Sequence, residues 1–82
     1  MEEDIKDELE KIYNDNIKID VEKRDDIIII NLFIMKKKEN KRIIISFITI
    51  TYKYLKNFTI DYNILNIVKK IDYNILKIFK EE

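Results

Sequence analysis

Residues 27–35 of the chain are Ile-Ile-Ile-Ile-Asn-Leu-Phe-Ile-Met, and residues 43–55 are Ile-Ile-Ile-Ser-Phe-Ile-Thr-Ile-Thr-Tyr-Lys-Tyr-Leu. Both stretches are dense in β-branched and aromatic side chains, which favour extended structure over helix. The residues between them, 36–42, are almost all charged, as is typical of the connection between two strands. We therefore expect adjacent antiparallel strands over 27–35 and 43–55 at the centre of a sheet.

The flanking segments complete the order α-β-β-β-α. Apolar residues recur at helical spacing in 2–15 and again in 58–80, and they alternate with charged residues in 17–22. We expect helices over the first two ranges, with Thr59 or Asn57 as the N-cap of the second, and an edge strand over the third. The 82 residues are thus expected to form a single α+β domain, residues 1–82, with a three-stranded antiparallel sheet. The two helices are expected on one face of this sheet, and one helix on each face is the alternative.

An internal repeat marks the C-terminal segment, because residues 60–70 and 71–81 both begin Ile-Asp-Tyr-Asn-Ile-Leu. Eleven residues make almost three helical turns, so both copies present the same apolar stripe. This spacing predicts one continuous helix. Two short helices, each beginning at an Asp, are the alternative.

The composition excludes several kinds of catalytic site. The chain has no Cys, His or Gly, and its one serine, Ser46, lies inside an apolar run. Thiolate nucleophiles, zinc thiolate sites, P-loops and dinucleotide fingerprints are therefore ruled out, together with the side chain most often used as a base near neutral pH. We expect no enzyme, no catalytic residue, no metal site and no cofactor.

The chain also lacks the sequence features of membrane or secreted proteins. Residues 1–4 are Met-Glu-Glu-Asp, whereas a signal peptide begins with a basic region. The longest uninterrupted apolar runs, 27–30 and 32–35, are far shorter than the roughly 20 residues of a transmembrane helix. We expect a cytoplasmic protein without a membrane partner.

Charge is balanced overall but divided along the chain. Residues 1–26 hold five basic and eleven acidic residues (−6), and residues 27–82 hold eleven basic and five acidic (+6). The densest basic cluster joins the two central strands and either binds phosphate groups or keeps an apolar hairpin soluble. Its members, the candidate phosphate-binding residues, are Lys36, Lys37, Lys38, Lys41 and Arg42.

The central strands are apolar on both faces, whereas a small antiparallel sheet normally has one polar face. If the hairpin closes near Lys36 and Lys41, its pairs are Ile30 with Phe47, Leu32 with Ile45, and Asn31 with Ser46. The four apolar members of these pairs would then lie side by side on one face. Because large apolar patches are rare on monomers, we expect a homodimer whose interface centres on Ile30, Leu32, Ile45 and Phe47.

The element order resembles that of double-stranded-RNA-binding domains, although residues 57–62, which open the last helix, have no cation where those domains carry a basic run. The order is also similar to that of small phage-encoded inhibitors of bacterial defence systems, and this resemblance implies a viral protein with a host protein as partner. The leading expectation is a non-catalytic protein–protein interaction domain. The alternative is a nucleic-acid-binding module that uses the 36–42 loop and the basic C-terminal helix, with Lys69, Lys70, Lys77 and Lys80.

Overall fold

The computed structural model describes residues 2–13 and 16–80 and places them in two helices and one three-stranded sheet. The elements are α1 Glu2–Ile12, β1 Ile17–Arg24, β2 Ile27–Lys38, β3 Lys41–Lys53 and α2 Ile60–Lys80. The strand order is β1-β2-β3, and both neighbouring pairs are antiparallel. The predicted α+β class and α-β-β-β-α order are confirmed.

The first helix is shorter than expected, and the first strand is longer. α1 begins with three acidic residues, which its positive N-terminal dipole stabilises, and it ends at Ile12. The expected last residues of this helix, 14 and 15, lie outside the described residues. β1 continues to Arg24 rather than ending at residue 22, and it is an edge strand as predicted.

The second helix is continuous through the repeat. α2 begins at Ile60 rather than at residue 58, and the backbone N–H of Tyr62 donates to Thr59 Oγ1 at 3.1 Å. Thr59 is therefore the N-cap, because its hydroxyl satisfies a donor that the first turn leaves unpaired. The helix runs without a break to Lys80, which confirms the single-helix prediction.

Both helices pack on the same face of the sheet. The even-numbered residues of β2 point toward them, and Ile28, Ile30 and Leu32 are 0% exposed. The helices contribute Ile5, Leu9, Ile64, Ile67 and Ile71 to the same core cluster. Residues of β2 with odd numbers are only half-buried, because no helix covers their face. The alternative with one helix on each face is excluded.

The central hairpin has a different register from the expected one. β2 continues to Lys38 and β3 begins at Lys41, so the connection consists only of Glu39 and Asn40. Both have positive φ, 51° and 66°, as the two-residue type I′ hairpin turn requires. The predicted pairs are wrong by three positions, and the observed pairs are Ile30 with Ile50, Leu32 with Ile48, and Asn31 with Thr49.

A bulge in β3 decides which of its side chains face the helices. The pairing shifts by one residue between Ile34 and Met35, where Ile45 is the extra residue of β3. A one-residue shift exchanges the two faces of a strand. The turn alone would direct Ile50 and Tyr52 away from the helices, whereas the bulge returns them to the core, where they are 6% and 7% exposed.

Candidate functional site: the uncovered sheet face and the basic ribbon

The four residues expected at the interface do not share a face. Ile30 and Leu32 are fully buried beneath the helices. Phe47 pairs with Phe33 on the opposite face and is 55% exposed, and Ile45 lies at the bulge and is 38% exposed. The expectation that they lie side by side is wrong because the assumed register differed from the real one by an odd number of residues, which exchanges the faces of β3.

The uncovered face carries a different cluster, which we call the apolar patch. The rings of Phe33 and Phe47 lie 4.9 Å apart between centroids, at an interplanar angle of 42°. Next to them, Met35 pairs with Ile44, which is 60% exposed. The apolar patch therefore consists of Phe33, Met35, Ile44 and Phe47 on two adjacent strands.

Polar residues bound the patch on the uncovered face and separate it from the half-buried Ile27 and Ile29. Thr49 Oγ1 donates to Asn31 Oδ1 at 2.9 Å, so the polar residue inside β2 is met by a hydroxyl of β3. Ser46, the expected partner of Asn31, pairs instead with Ile34 on the helix-covered face. On this same face β1 presents a row of charges of both signs, Lys18, Asp20, Glu22 and Arg24.

The predicted phosphate-binding residues belong to strands and not to a loop. β1 pairs with β2 only as far as Ile34, and the last link on that side is the Met35 N–H donating to Asn16 O at 2.7 Å. Beyond this point β2 and β3 pair only with each other among the described residues. We call this two-stranded segment, residues 35–44, the basic ribbon. It carries Lys36, Lys37, Lys38, Lys41 and Arg42, all of them exposed.

Like charges face each other across the basic ribbon. Lys37 pairs with Arg42, and Lys38 pairs with Lys41. Directly opposed like charges destabilise a pair of strands. The ribbon therefore keeps cations at positions where they weaken its own pairing.

A buried asparagine that the sequence analysis missed holds the connection between β3 and α2. Asn63 is 0% exposed, and its Oδ1 accepts hydrogen bonds from Tyr52 Oη and from the Leu55 N–H, both at 2.8 Å. Its Nδ2 donates to Leu55 O at 3.1 Å and to Thr59 O at 2.9 Å. The repeat gave no signal of this role, since the equivalent Asn74 donates to the Lys70 carbonyl of its own helix.

A tyrosine joins the end of α1 to α2. Tyr13 Oη donates to Asp72 Oδ1 at 2.6 Å. Burial, and then the hydrogen bond to Asp72 and its negative charge, raise the pKa of Tyr13 well above its ordinary value. The phenol therefore holds its proton more firmly than an ordinary tyrosine and shares it in the hydrogen bond to Asp72.

A second exposed apolar row lies on the outer side of α2. The side chains of Tyr62, Leu65, Tyr73 and Leu76 are between 42% and 71% exposed and occupy equivalent positions in the two repeat copies. Phe58, which precedes the helix, stacks on Tyr62 at 4.5 Å between centroids. The repeat thus presents one stripe to the core and another to solvent.

Residues 2–13 and 16–80, which the structure describes, contain neither a metal-ligand cluster nor a helix that could cross a membrane. This part of the chain brings no three metal-ligating side chains together. In the same residues, neither helix combines the length and apolar character needed to cross a membrane.

Comparisons with other proteins gave no relative. No protein-family model matches the chain, and no curated protein or solved structure is significantly similar to it.

Proposed function

We propose that this protein is a non-catalytic, cytoplasmic protein–protein interaction domain that forms a symmetric homodimer through the apolar patch. The observation that carries the proposal is the Phe33–Phe47 pair on a sheet face that neither helix covers. Exposed aromatic side chains in contact with each other supply a large apolar area at low entropic cost, which is typical of interface centres.

A second copy fits the patch for two reasons. A two-fold axis lets one patch cover an identical one, and such dimers are the commonest assemblies. The charges of β1 beside the patch have both signs, so each copy offers cations and carboxylates to the rim of the other.

The size of the patch sets the expected strength of the dimer. Full burial of one large apolar side chain contributes about 1.5–3 kcal/mol, and each copy offers four, two of them already half-buried. Association costs about 4–15 kcal/mol in lost freedom of motion. We therefore expect a reversible dimer that dissociates on dilution.

The test is sedimentation equilibrium of the wild-type protein and of Phe47→Glu. The wild type should be a dimer at high micromolar concentration. Phe47→Glu should be a folded monomer, because it places a carboxylate at the centre of the contact. Thr51→Glu is the matched control, since it adds the same charge to the same strand and face outside the patch, and it should remain dimeric. A monomeric wild type would refute the proposal.

The resemblance to phage-encoded inhibitors implies a host protein as a further partner. We propose that such a partner would compete with the second copy for the apolar patch. Binding to it should then be lost in Phe47→Glu and kept in Thr51→Glu.

A further inference from the structure

We propose that the basic ribbon is a nucleic-acid-binding element, which enters a groove of a duplex and contacts the phosphate backbones on both sides. The cations of the ribbon lie outside the apolar patch, which shares only Met35 and Ile44 at the base of the ribbon, and neither proposal depends on the other. Three features of the ribbon support it: its projection, the distribution of its cations and their mutual repulsion.

The ribbon projects from the body of the protein. It extends four residue pairs beyond the last β1 partner, Ile34, which corresponds to about 13 Å at 3.3 Å per residue. The major groove of B-form DNA is about 12 Å wide and 8.5 Å deep and admits a two-stranded ribbon. The type I′ turn at Glu39 and Asn40 keeps the tip narrow.

Cations point from both faces of the ribbon. Alternation along β2 and the observed pairing place Lys37 and Arg42 on the face of the apolar patch, and Lys36, Lys38 and Lys41 on the opposite face. A flat anionic surface such as a membrane would contact only one of these sets. Phosphate rows on the two sides of a groove contact both, so the geometry favours a duplex.

The repulsion within the ribbon also indicates an anionic ligand. Across the ribbon Lys38 faces Lys41 and Lys37 faces Arg42, and directly opposed like charges destabilise a pair of strands. Phosphates placed beside these pairs would neutralise them. Binding would therefore reduce the electrostatic repulsion that destabilises the ribbon in the free protein.

The acidic N-terminus does not face the ribbon. Lys6 Nζ of α1 lies 3.9 Å from Asp20 Oδ1 of β1. The end of α1 instead leads to Ile17, the first residue of β1, which pairs with Ile34 beside the ribbon. α1 therefore runs antiparallel to β1, and its acidic first turn lies at the end of the sheet away from the ribbon. The acidic first turn of α1 and the basic ribbon are therefore at opposite ends of the sheet.

The experiment is a salt titration of binding to a fluorescent DNA duplex of mixed sequence. If all five cations contact phosphates, the slope of log K against log salt should be about −4 to −5. Lys37→Gln/Lys38→Gln should weaken binding tenfold or more at low salt and make the slope less steep by about 2. The double variant should fold, because it removes like-charge repulsion and no buried group, and it should remain a dimer if the wild type is one.

The matched control is Lys56→Gln/Lys69→Gln, which removes the same charge from exposed positions outside the ribbon. It should weaken binding less than threefold. Equal losses in the two double variants would overturn the proposal, because they would show a response to net charge alone.

Two other results would also overturn it. The first is lower solubility of Lys37→Gln/Lys38→Gln with no change in duplex binding, as expected if the cations only keep the hairpin soluble. The second is tighter binding to vesicles of anionic phospholipid than to the duplex at the same salt concentration, which would indicate a membrane surface as the ligand.

Discussion

At the scale of single residues, Asn63 shows how one polar side chain joins a strand, a connection and a helix. All of its donors and acceptors are used, and no buried side-chain polar atom among the described residues is left without a partner. A buried polar group is tolerated only under this condition, because an unpaired one costs about 1–3 kcal/mol.

The first prediction follows from this network. Asn63→Ala leaves the Tyr52 hydroxyl and the Leu55 N–H without their acceptor, so we expect a loss of about 2–4 kcal/mol of unfolding free energy. Asn74→Ala, at the equivalent position of the repeat, removes one partly exposed hydrogen bond and should cost less than about 1 kcal/mol. Urea unfolding of both variants tests the difference. Equal losses would mean that helix propensity, and not the buried network, accounts for the role of Asn63.

The second prediction concerns Tyr13 and pH. Its pKa is raised in the folded protein by burial and by Asp72, whereas the unfolded chain keeps the ordinary value of about 10. The contribution to stability is therefore complete below about pH 10 and is lost above it, where the unfolded chain releases a proton that the folded protein retains.

Urea unfolding between about pH 8 and pH 11 measures this effect. Tyr13→Phe should be less stable than the wild type near neutral pH but should lose less stability as the pH rises above 10. Tyr73→Phe removes a hydroxyl from a side chain that is 71% exposed and should keep the wild-type dependence. An identical pH dependence in all three proteins would contradict the assignment.

At the scale of elements, the β2–β3 hairpin is a compromise between its turn and its apolar pattern. The two-residue turn alone would direct Ile50 and Tyr52 away from the helices, whereas their burial in the core requires the opposite orientation. The bulge at Ile45 satisfies both conditions and leaves Phe47 on the uncovered face. The exposed apolar patch is thus a consequence of the same adjustment that completes the core.

The third prediction belongs to this hairpin. Glu39 has φ of 51°, a left-handed conformation that costs a residue with a Cβ about 1–2 kcal/mol. Glu39→Asn with Asn40→Gly supplies the residues that type I′ turns prefer and should raise the unfolding free energy by about 1 kcal/mol. Glu39→Ala removes the same charge but keeps the strain, and it should give no gain. Thermal melting of the two variants decides whether the backbone or the charge is responsible.

Helix α2 shows what an eleven-residue repeat does in a folded chain. The repeated isoleucines Ile60 and Ile71 both face the core, although only Ile71 is fully buried. The repeated tyrosines Tyr62 and Tyr73 both face solvent. Equivalent positions therefore share a direction, but their burial depends on which neighbouring element each copy meets.

At the scale of the whole molecule, the two proposed surfaces lie next to each other. The apolar patch includes Met35 and Ile44, which are also the base of the basic ribbon. In a symmetric dimer the two ribbons would belong to one assembly, and a duplex that contacts both would be held by two linked sites. Disruption of the patch by Phe47→Glu should then weaken duplex binding without removing it, whereas changes in the ribbon should leave the dimer intact.

The amino-acid sequence determined the element types, their order and the continuity of α2, because hydrophobic period and side-chain branching are local properties that 82 residues display directly. It also determined that the sheet has more apolar surface than two helices on one face can cover. The tertiary structure alone decided which residues form that excess. The register depends on a turn without glycine, at Glu39 and Asn40, and on one extra residue, Ile45, and neither leaves a local pattern. Side chains alternate between the two faces of a strand, so an error of three residues in the predicted register placed Ile30 and Leu32 on the uncovered face. The fold has Phe33 and Ile44 on that face instead. The role of Asn63 also depends on the tertiary structure, because Tyr52 and Leu55 become its neighbours only after β3 and α2 pack together.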